Sequence, residues 1–100
     1  MNTSTTFKKN DNEKLRWTKF AWGGAEWVMD IMTFGAEKYG WDNWRLAEGE
    51  DRERYVDAAI RHIKAHCKGE RLDPESGRPH LAHAACSLVF YLEKEPHDKS

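Results

Sequence analysis

The chain has 100 residues, 39% apolar and 33% charged, enough for one small core and too few for a second independent domain. No run approaches the roughly 18 apolar residues that a membrane span needs, and the polar opening at 1–12 lacks the apolar centre of a secretion signal, so a cytoplasmic protein is expected. Sixteen Lys plus Arg stand against seventeen Asp plus Glu, a formal charge of −1, without the positive excess that drives binding to bulk nucleic acid.

Residues 1–14 mix Asn, Thr, Ser and Lys without periodicity and predict a flexible arm, because they cannot bury enough apolar surface to offset their ordering entropy. A single helical domain over 15–95 and a tail over 96–100 follow. Within 15–22 aromatic and basic residues alternate, and Gly23-Gly24 then breaks the chain. Over 25–39 the residues Trp27, Val28, Ile31, Met32, Phe34 and Gly35 recur at helical spacing, and Gly40 stands where a left-handed C-terminal residue would, which predicts the first long helix. Residues 41–50 suit a turn or a short helix. Asp51 as N-cap, Glu53 in the first turn, Lys64 and Lys68 near the end and Gly69 after it predict a second helix over 51–68. Its inward stripe is read as Val56, Ala59, Ile60, Ile63 and Cys67. Asp73-Pro74-Glu75-Ser76-Gly77 predicts a loop over 70–78. Pro79 in a first helical turn, followed by the apolar stripe Leu81, Ala85, Leu88 and Leu92, predicts a third helix that fades before Pro96.

No sustained alternation of β type competes with these periods. The expected fold is all-α, a small bundle of three main helices plus a short connecting helix. Helices of about 15 residues bury little on their own, so completion of the bundle by homo-oligomerisation is expected. Cys67 and Cys86 lack Cys-x-x-Cys spacing and read as buried thiols. Five tryptophans offer either core anchors or flat faces for a base.

Glu26, Asp30, Thr33 and Glu37 lie at i, i+4, i+7 and i+11, which places three carboxylates on one strip. Their repulsion calls for an opposing cation: a hard divalent ion such as Mg2+ that bridges to substrate phosphates, or Lys and Arg side chains. A solvated acidic face is the simpler alternative. On the second helix Asp57 is either a further metal ligand or the i,i+4 ion-pair partner of Arg61, whose forked donors also suit a phosphate. His62-x-x-x-His66 and His80-x-x-His83 suit a zinc ion by spacing, but hydrogen bonding between helices is the more common use of such residues, and Ile63 stands where a zinc protease needs Glu. His80, His83, Ser87 and Tyr91 form a polar strip that is either exposed or site-lining. Ser87 lacks a nucleophile elbow. Lys38-Tyr39 and Trp41-x-x-Trp44 follow the acidic strip, with Trp44 read equally as a core plug or a stacking ring.

Phe34-Gly35-Ala36-Glu37-Lys38-Tyr39-Gly40, Asn43-Trp44 and Arg54-Tyr55-x-Asp57-Ala58-Ala59-x-Arg61-His62 come in one order. Gly69-Glu70-x-x-Asp73-Pro74-Glu75-Ser76-Gly77-x-x-His80-Leu81-Ala82-His83-Ala84-Ala85-Cys86 then follows. Together these segments resemble the phage dATP/dGTP diphosphohydrolase domain family, relatives of the all-α MazG-like nucleotide pyrophosphohydrolases. The resemblance implies a helical protein that binds a purine nucleoside triphosphate with Mg2+ or Mn2+ and splits it to monophosphate and pyrophosphate, in the host cytoplasm if phage-encoded. It implies Glu26, Asp30, Glu37 and Asp57 as metal ligands and Glu37, Asp57 and His62 as catalytic residues. Lys38, Tyr39, Trp44, Tyr55, Arg61, His80 and His83 would contact the nucleotide. A protein that sequesters a nucleotide immune signal without cleaving it is the alternative reading.

Overall fold

A computed structural model describes residues 6–98. The first five residues of the expected arm and the last two of the expected tail lie outside it. Among the described residues there are three α-helices, α1 (Trp22–Tyr39), α2 (Glu50–Cys67) and α3 (His80–Leu92), and two short 3-10 turns at Trp17–Lys19 and Asn43–Leu46. There is no β-strand among them, only an isolated antiparallel bridge between Leu72 and Pro79. The all-α fold read from the sequence is the fold observed.

Helix α1 begins three residues earlier than the periodicity predicts and takes Gly23 and Gly24 into its first turn. There the backbone N–H groups lack helical partners anyway, so glycine costs less than in a helix interior. The entry is held by an aromatic cluster in which Phe20 meets Trp22 edge-on at 5.1 Å and Trp17 lies 6.2 Å from Phe20. Gly40 closes the helix with φ 84°, a conformation that side chains resist, and its N–H donates to the Ala36 carbonyl at 2.8 Å. Helix α2 starts on Gly49, not on an Asp51 cap; Asp51 lies in the first turn with Glu50 and Glu53, and Lys64 and His66 lie in the last, so both ends complement the helix dipole. Pro79 is the residue just outside α3 and not in its first turn; its carbonyl accepts from the Ala82 and His83 N–H groups at 3.0 and 3.3 Å.

Helix α3 packs against both other helices, far more extensively against α2 than against α1. Ile31, Ala82 and Cys86 form the buried centre between α1 and α3, bordered by Val28, Met32 and Phe90. Ala59 on α2 and Ala84 on α3 are also buried, and side chains this small let helices approach closely. Arg52 ties the start of α2 to the end of α3, donating to the Tyr91 carbonyl at 2.6 Å and to Glu95 at 2.8 Å.

The stripes chosen from the sequence are only partly buried. Val56 and Ala59 point inward, but Ile60, Ile63 and Cys67 on α2 and Leu81, Ala85, Leu88 and Leu92 on α3 are exposed. The reason is that α3 turns its small and histidine-bearing positions to its neighbours, Ala82, Cys86 and Phe90 toward α1 and His80 and His83 toward His62 of α2. Its leucines therefore face outward. Cys86 is buried as expected, and burial pushes its thiol up to about 12.

Candidate functional site

The loop between α2 and α3 builds the site. Gly69 (φ 101°) lets the chain leave α2. The loop then doubles back: the Asp73 N–H donates to the Arg78 carbonyl at 2.8 Å and the His80 N–H to the Arg71 carbonyl at 2.9 Å. Inside the turn the Asp73 carboxylate accepts the Ser76 N–H at 2.9 Å, as an Asx turn does. The loop thereby holds Glu70, Asp73 and Ser76 against the start of α3.

Three histidines meet there. His62 from α2 stacks on His83 from α3, ring centroids 4.6 Å apart and 10° from parallel. The Nδ1 atoms of His62 and His80 are 2.8 Å apart, His80 Nε2 lies 2.6 Å from Glu70 Oε1, and His83 Nε2 lies 2.7 Å from Ser76 Oγ. His80 is 4% exposed, so its two ring partners satisfy a side chain that would otherwise be costly to bury. Ser76 and Asp73 both address the same nitrogen of His83, Nε2, the Asp73 carboxylate from 3.8 Å. A nucleophilic triad needs its acid on the other ring nitrogen, so this arrangement is not one.

Burial is the main cause that holds both His62 and His83 below the ordinary histidine value; the facing His83 and His80 rings add to it at His62, while Asp73 opposes it at His83. For Asp73 burial acts upward, but hydrogen bonds from Ser76 and the nearby His83 and His62 rings outweigh it and hold the carboxyl below its ordinary value. The two histidines carry a clear pH signature. A folded state that disfavours their protonation contributes stability that is complete above the unfolded value of 6.5 and is lost as pH falls through the lower folded values. The Tm of the chain in EDTA is therefore expected to fall between pH 7.5 and pH 5. A Tm that holds or rises over that interval would contradict the packing of these rings.

Beside the histidines a cavity of about 190 Å³ opens between α1, the second 3-10 turn and α3, with Met32, Tyr39, Trp44, Tyr55, His83 and Phe90 in its wall. Trp44 lies parallel to Phe90 at 4.3 Å with the Arg45 guanidinium over its other side, and Tyr55 meets Phe90 edge-on. Its Nε1 is buried with no hydrogen-bond partner. Trp44 thus plugs the core and lines the cavity at once. Tyr39, Asn43 and Tyr55 also border a second, polar cleft of about 540 Å³ that carries Asp51, Arg54 and Arg61. Pockets that swallow drug-sized ligands run to roughly 300–1,000 Å³, so the first cavity suits one ring system and the second suits a charged extension.

Of the residues singled out as nucleotide contacts, Tyr39, Trp44, Tyr55, Arg61 and His83 border these two spaces. Lys38 is paired with Glu75 at 2.8 Å, which raises its pKa. The four carboxylates named as metal ligands do not converge within the chain. Asp30 is clasped by Arg78, Nε to Oδ2 at 2.8 Å and Nη2 to Oδ1 at 3.3 Å, and this partner lowers its pKa. Glu26, Glu37 and Asp57 are exposed, and among the described residues none of the four belongs to a group of three metal-capable side chains. The opposing cation that the acidic strip calls for is Arg78, so the residues do not fit a carboxylate-held Mg2+ or Mn2+ ion within one chain. The described group whose donor atoms do gather, all within 4.8 Å, is His62, Asp73 and His80. The histidine pairs by sequence spacing are thus replaced by a pair across helices, and His66 points outward. Glu70, Asp73, Ser76 and Arg78 were legible only as loop residues; the Asp-x-x-Ser spacing of an Asx turn directly ahead of His80 is the signal that marks them.

Among the described residues no helix is long and apolar enough to cross a membrane. The chain is similar to a protein of Salmonella phage PMBT28 called dATP/dGTP diphosphohydrolase, 40% identical over 66 residues, which are 66% of this chain and 22% of that protein. The chain thus matches about a fifth of the length of that curated relative. No solved structure matches it. The family described as "dATP/dGTP diphosphohydrolase, N-terminal" matches residues 4–100, nearly the whole sequence, and to that family the chain belongs.

Proposed function

We propose that the chain binds a purine deoxynucleoside triphosphate and acts in the hydrolysis of dATP or dGTP to the monophosphate and pyrophosphate. The observation that carries this reading is the junction, in a chain of this family, of a ring-sized apolar cavity with an arginine-bearing cleft. In the proposed complex the base enters the cavity walled by Tyr39, Trp41, Trp44 and Tyr55. The base meets Trp44 at its edge, since Phe90 and Arg45 cover the faces of that ring, while the other aromatic rings stack on it. The phosphates extend along the shared border toward Arg54 and Arg61, whose guanidinium groups suit phosphate oxygens. The nucleotide-sequestering alternative is not favoured, since the relative is named as a hydrolase.

Glu37 and Asp57 as catalytic residues and Mg2+ or Mn2+ as the metal belong to this proposal on the family resemblance alone. A cytoplasmic location, in the host if the gene is a phage's like the relative's, belongs to the same proposal. So does a homo-oligomer, supported by the exposed Ile60, Ile63, Leu81, Leu88 and Leu92.

Incubation of the chain with each deoxynucleoside triphosphate and Mn2+ is expected to release pyrophosphate from dATP or dGTP. Glu37→Gln and Asp57→Asn are each expected to lower that rate at least about 100-fold while leaving the circular dichroism unchanged, the scale of a lost acid-base or metal-binding group. Absence of pyrophosphate with every purine nucleotide would remove the hydrolytic reading.

A further inference from the structure

The His62, Asp73 and His80 group presents a donor set unlike the carboxylates that the hydrolase reading invokes, and its geometry is independent of that reading. His80 is almost wholly buried, and its Nε2 is engaged by Glu70 at 2.6 Å. Its other nitrogen, Nδ1, therefore faces the His62 Nδ1 at 2.8 Å. Two imidazole lone pairs cannot oppose each other at that distance, so either one proton sits between them or a cation takes the proton's place. Two nitrogens bound to one tetrahedral ion at about 2.0–2.1 Å lie roughly 3.3 Å apart, so the pair, at 2.8 Å, needs to part by only about half an ångström.

The surroundings are those of a ligand shell. A carboxylate behind a metal-bound imidazole fixes its tautomer and raises its basicity, and Glu70 holds that position behind His80. The Asp73 carboxylate, within 4.8 Å of both histidine donors, is oriented by the Ser76 N–H. Two imidazoles and one carboxylate suit Zn2+, whereas Mg2+ prefers an all-oxygen shell.

We propose that His62, His80 and Asp73 together bind one Zn2+ ion, with Glu70 as the residue that positions His80. On binding, the proton held between the two Nδ1 atoms is exchanged through solvent onto Nε2 of His62, so both rings stay neutral and the ion takes both Nδ1 lone pairs. The donors come from α2, the loop and the start of α3, so the ion ties these three segments together. Three protein donors leave a fourth tetrahedral position for water.

The test uses the whole chain without an affinity tag, stripped with EDTA, loaded with Zn2+ and dialysed. Wild type and His66→Gln, the exposed histidine outside the group, are expected to retain about one Zn2+ per chain. Both should gain about 10 °C in Tm at saturating Zn2+, as a ligand confined to the folded state requires. His62→Gln and Asp73→Asn should lose the retained ion and the gain, and Mg2+ should give no gain in any of them. A folded wild type that retains no Zn2+ overturns the proposal, as does a folded His62→Gln or Asp73→Asn that retains it. Should both variants fail to fold, imidazole NMR of the wild type decides: Zn2+ must shift the His62 and His80 rings together and leave His66 in place, and any other pattern overturns the assignment. Pyrophosphate release is not part of this readout, so the site and the hydrolase reading fail separately.

Discussion

Ile31→Ala is expected to lower the Tm by roughly 10–20 °C at fixed protein concentration. Removing a buried isoleucine to the β-carbon costs about 2–5 kcal/mol, and a domain of this size loses about 4–8 °C per kcal/mol. The expectation is at the high end of single-residue effects because Ile31 is the one buried residue of α1. It seats that helix against Ala82 and Cys86, and α1 is further tied to the loop by the partly exposed ion pairs Arg78–Asp30 and Lys38–Glu75. Surface pairs of that kind contribute little. Met29→Ala on the exposed side of the same helix should shift the Tm by only a few degrees. Equal shifts in the two variants, measured by thermal melts followed at 222 nm, would show that α1 is not seated through Ile31.

Leu88→Asp and Ile60→Asp are expected to convert an assembled protein into folded single chains. The accessible surface is 8021 Å² for 11.7 kDa, whereas a compact monomer of this mass exposes about 5,900 Å². The Cα radius of gyration, 18.5 Å, likewise exceeds the about 13 Å of a compact 100-residue domain. Part of the excess lies in the exposed residues 6–21 ahead of α1, and part in the outward leucines and isoleucines of α2 and α3. A stable association removes about 1,200–2,000 Å² from water in total, about 600–1,000 Å² from each partner, which that excess accommodates. Leu88 and Ile60 are 39% and 50% exposed, so an aspartate at either position stays hydrated in a single chain but is desolvated in an interface. Sedimentation equilibrium at high micromolar concentration reads the difference. A wild type that sediments as a single chain contradicts the proposed oligomer.

The helices were legible because their ends are marked by residues that act locally: Gly40 and Gly69 stop α1 and α2, and Pro79 starts α3. Those signals carry no information about partners, which is why the choice of buried face failed for Leu81, Leu88 and Ile60. Alanines and histidines, weak hydrophobic signals in a sequence, line the packed faces, while the strong leucine stripe stays exposed among the described residues. The site divides in the same way. His62, His80 and His83 stood out by residue type, but the pairing of His62 with His80 joins positions 18 apart through a loop. The Asp30–Arg78 clasp spans 48 residues, a separation at which periodicity and spacing say nothing. Asp73 and Ser76 were visible as turn formers, and the same Asx turn that shapes the loop delivers the Asp73 carboxylate to the histidines.

The seating of a purine nucleotide in the Trp44 cavity is read most directly by titrating the 15N-labelled chain with dGTP and Mg2+ and following its indole N–H resonances. Five tryptophans give five reporters. Trp41 and Trp44 line the cavity, whereas Trp17 and Trp22 belong to the aromatic cluster at the entry of α1. The account predicts saturable shifts of Trp41 and Trp44 with Trp17 and Trp22 unmoved, and a loss of affinity of about 10- to 100-fold in Arg61→Ala, the scale of one charge-assisted phosphate contact. Shifts confined to Trp17 and Trp22, or none at millimolar nucleotide, would contradict it.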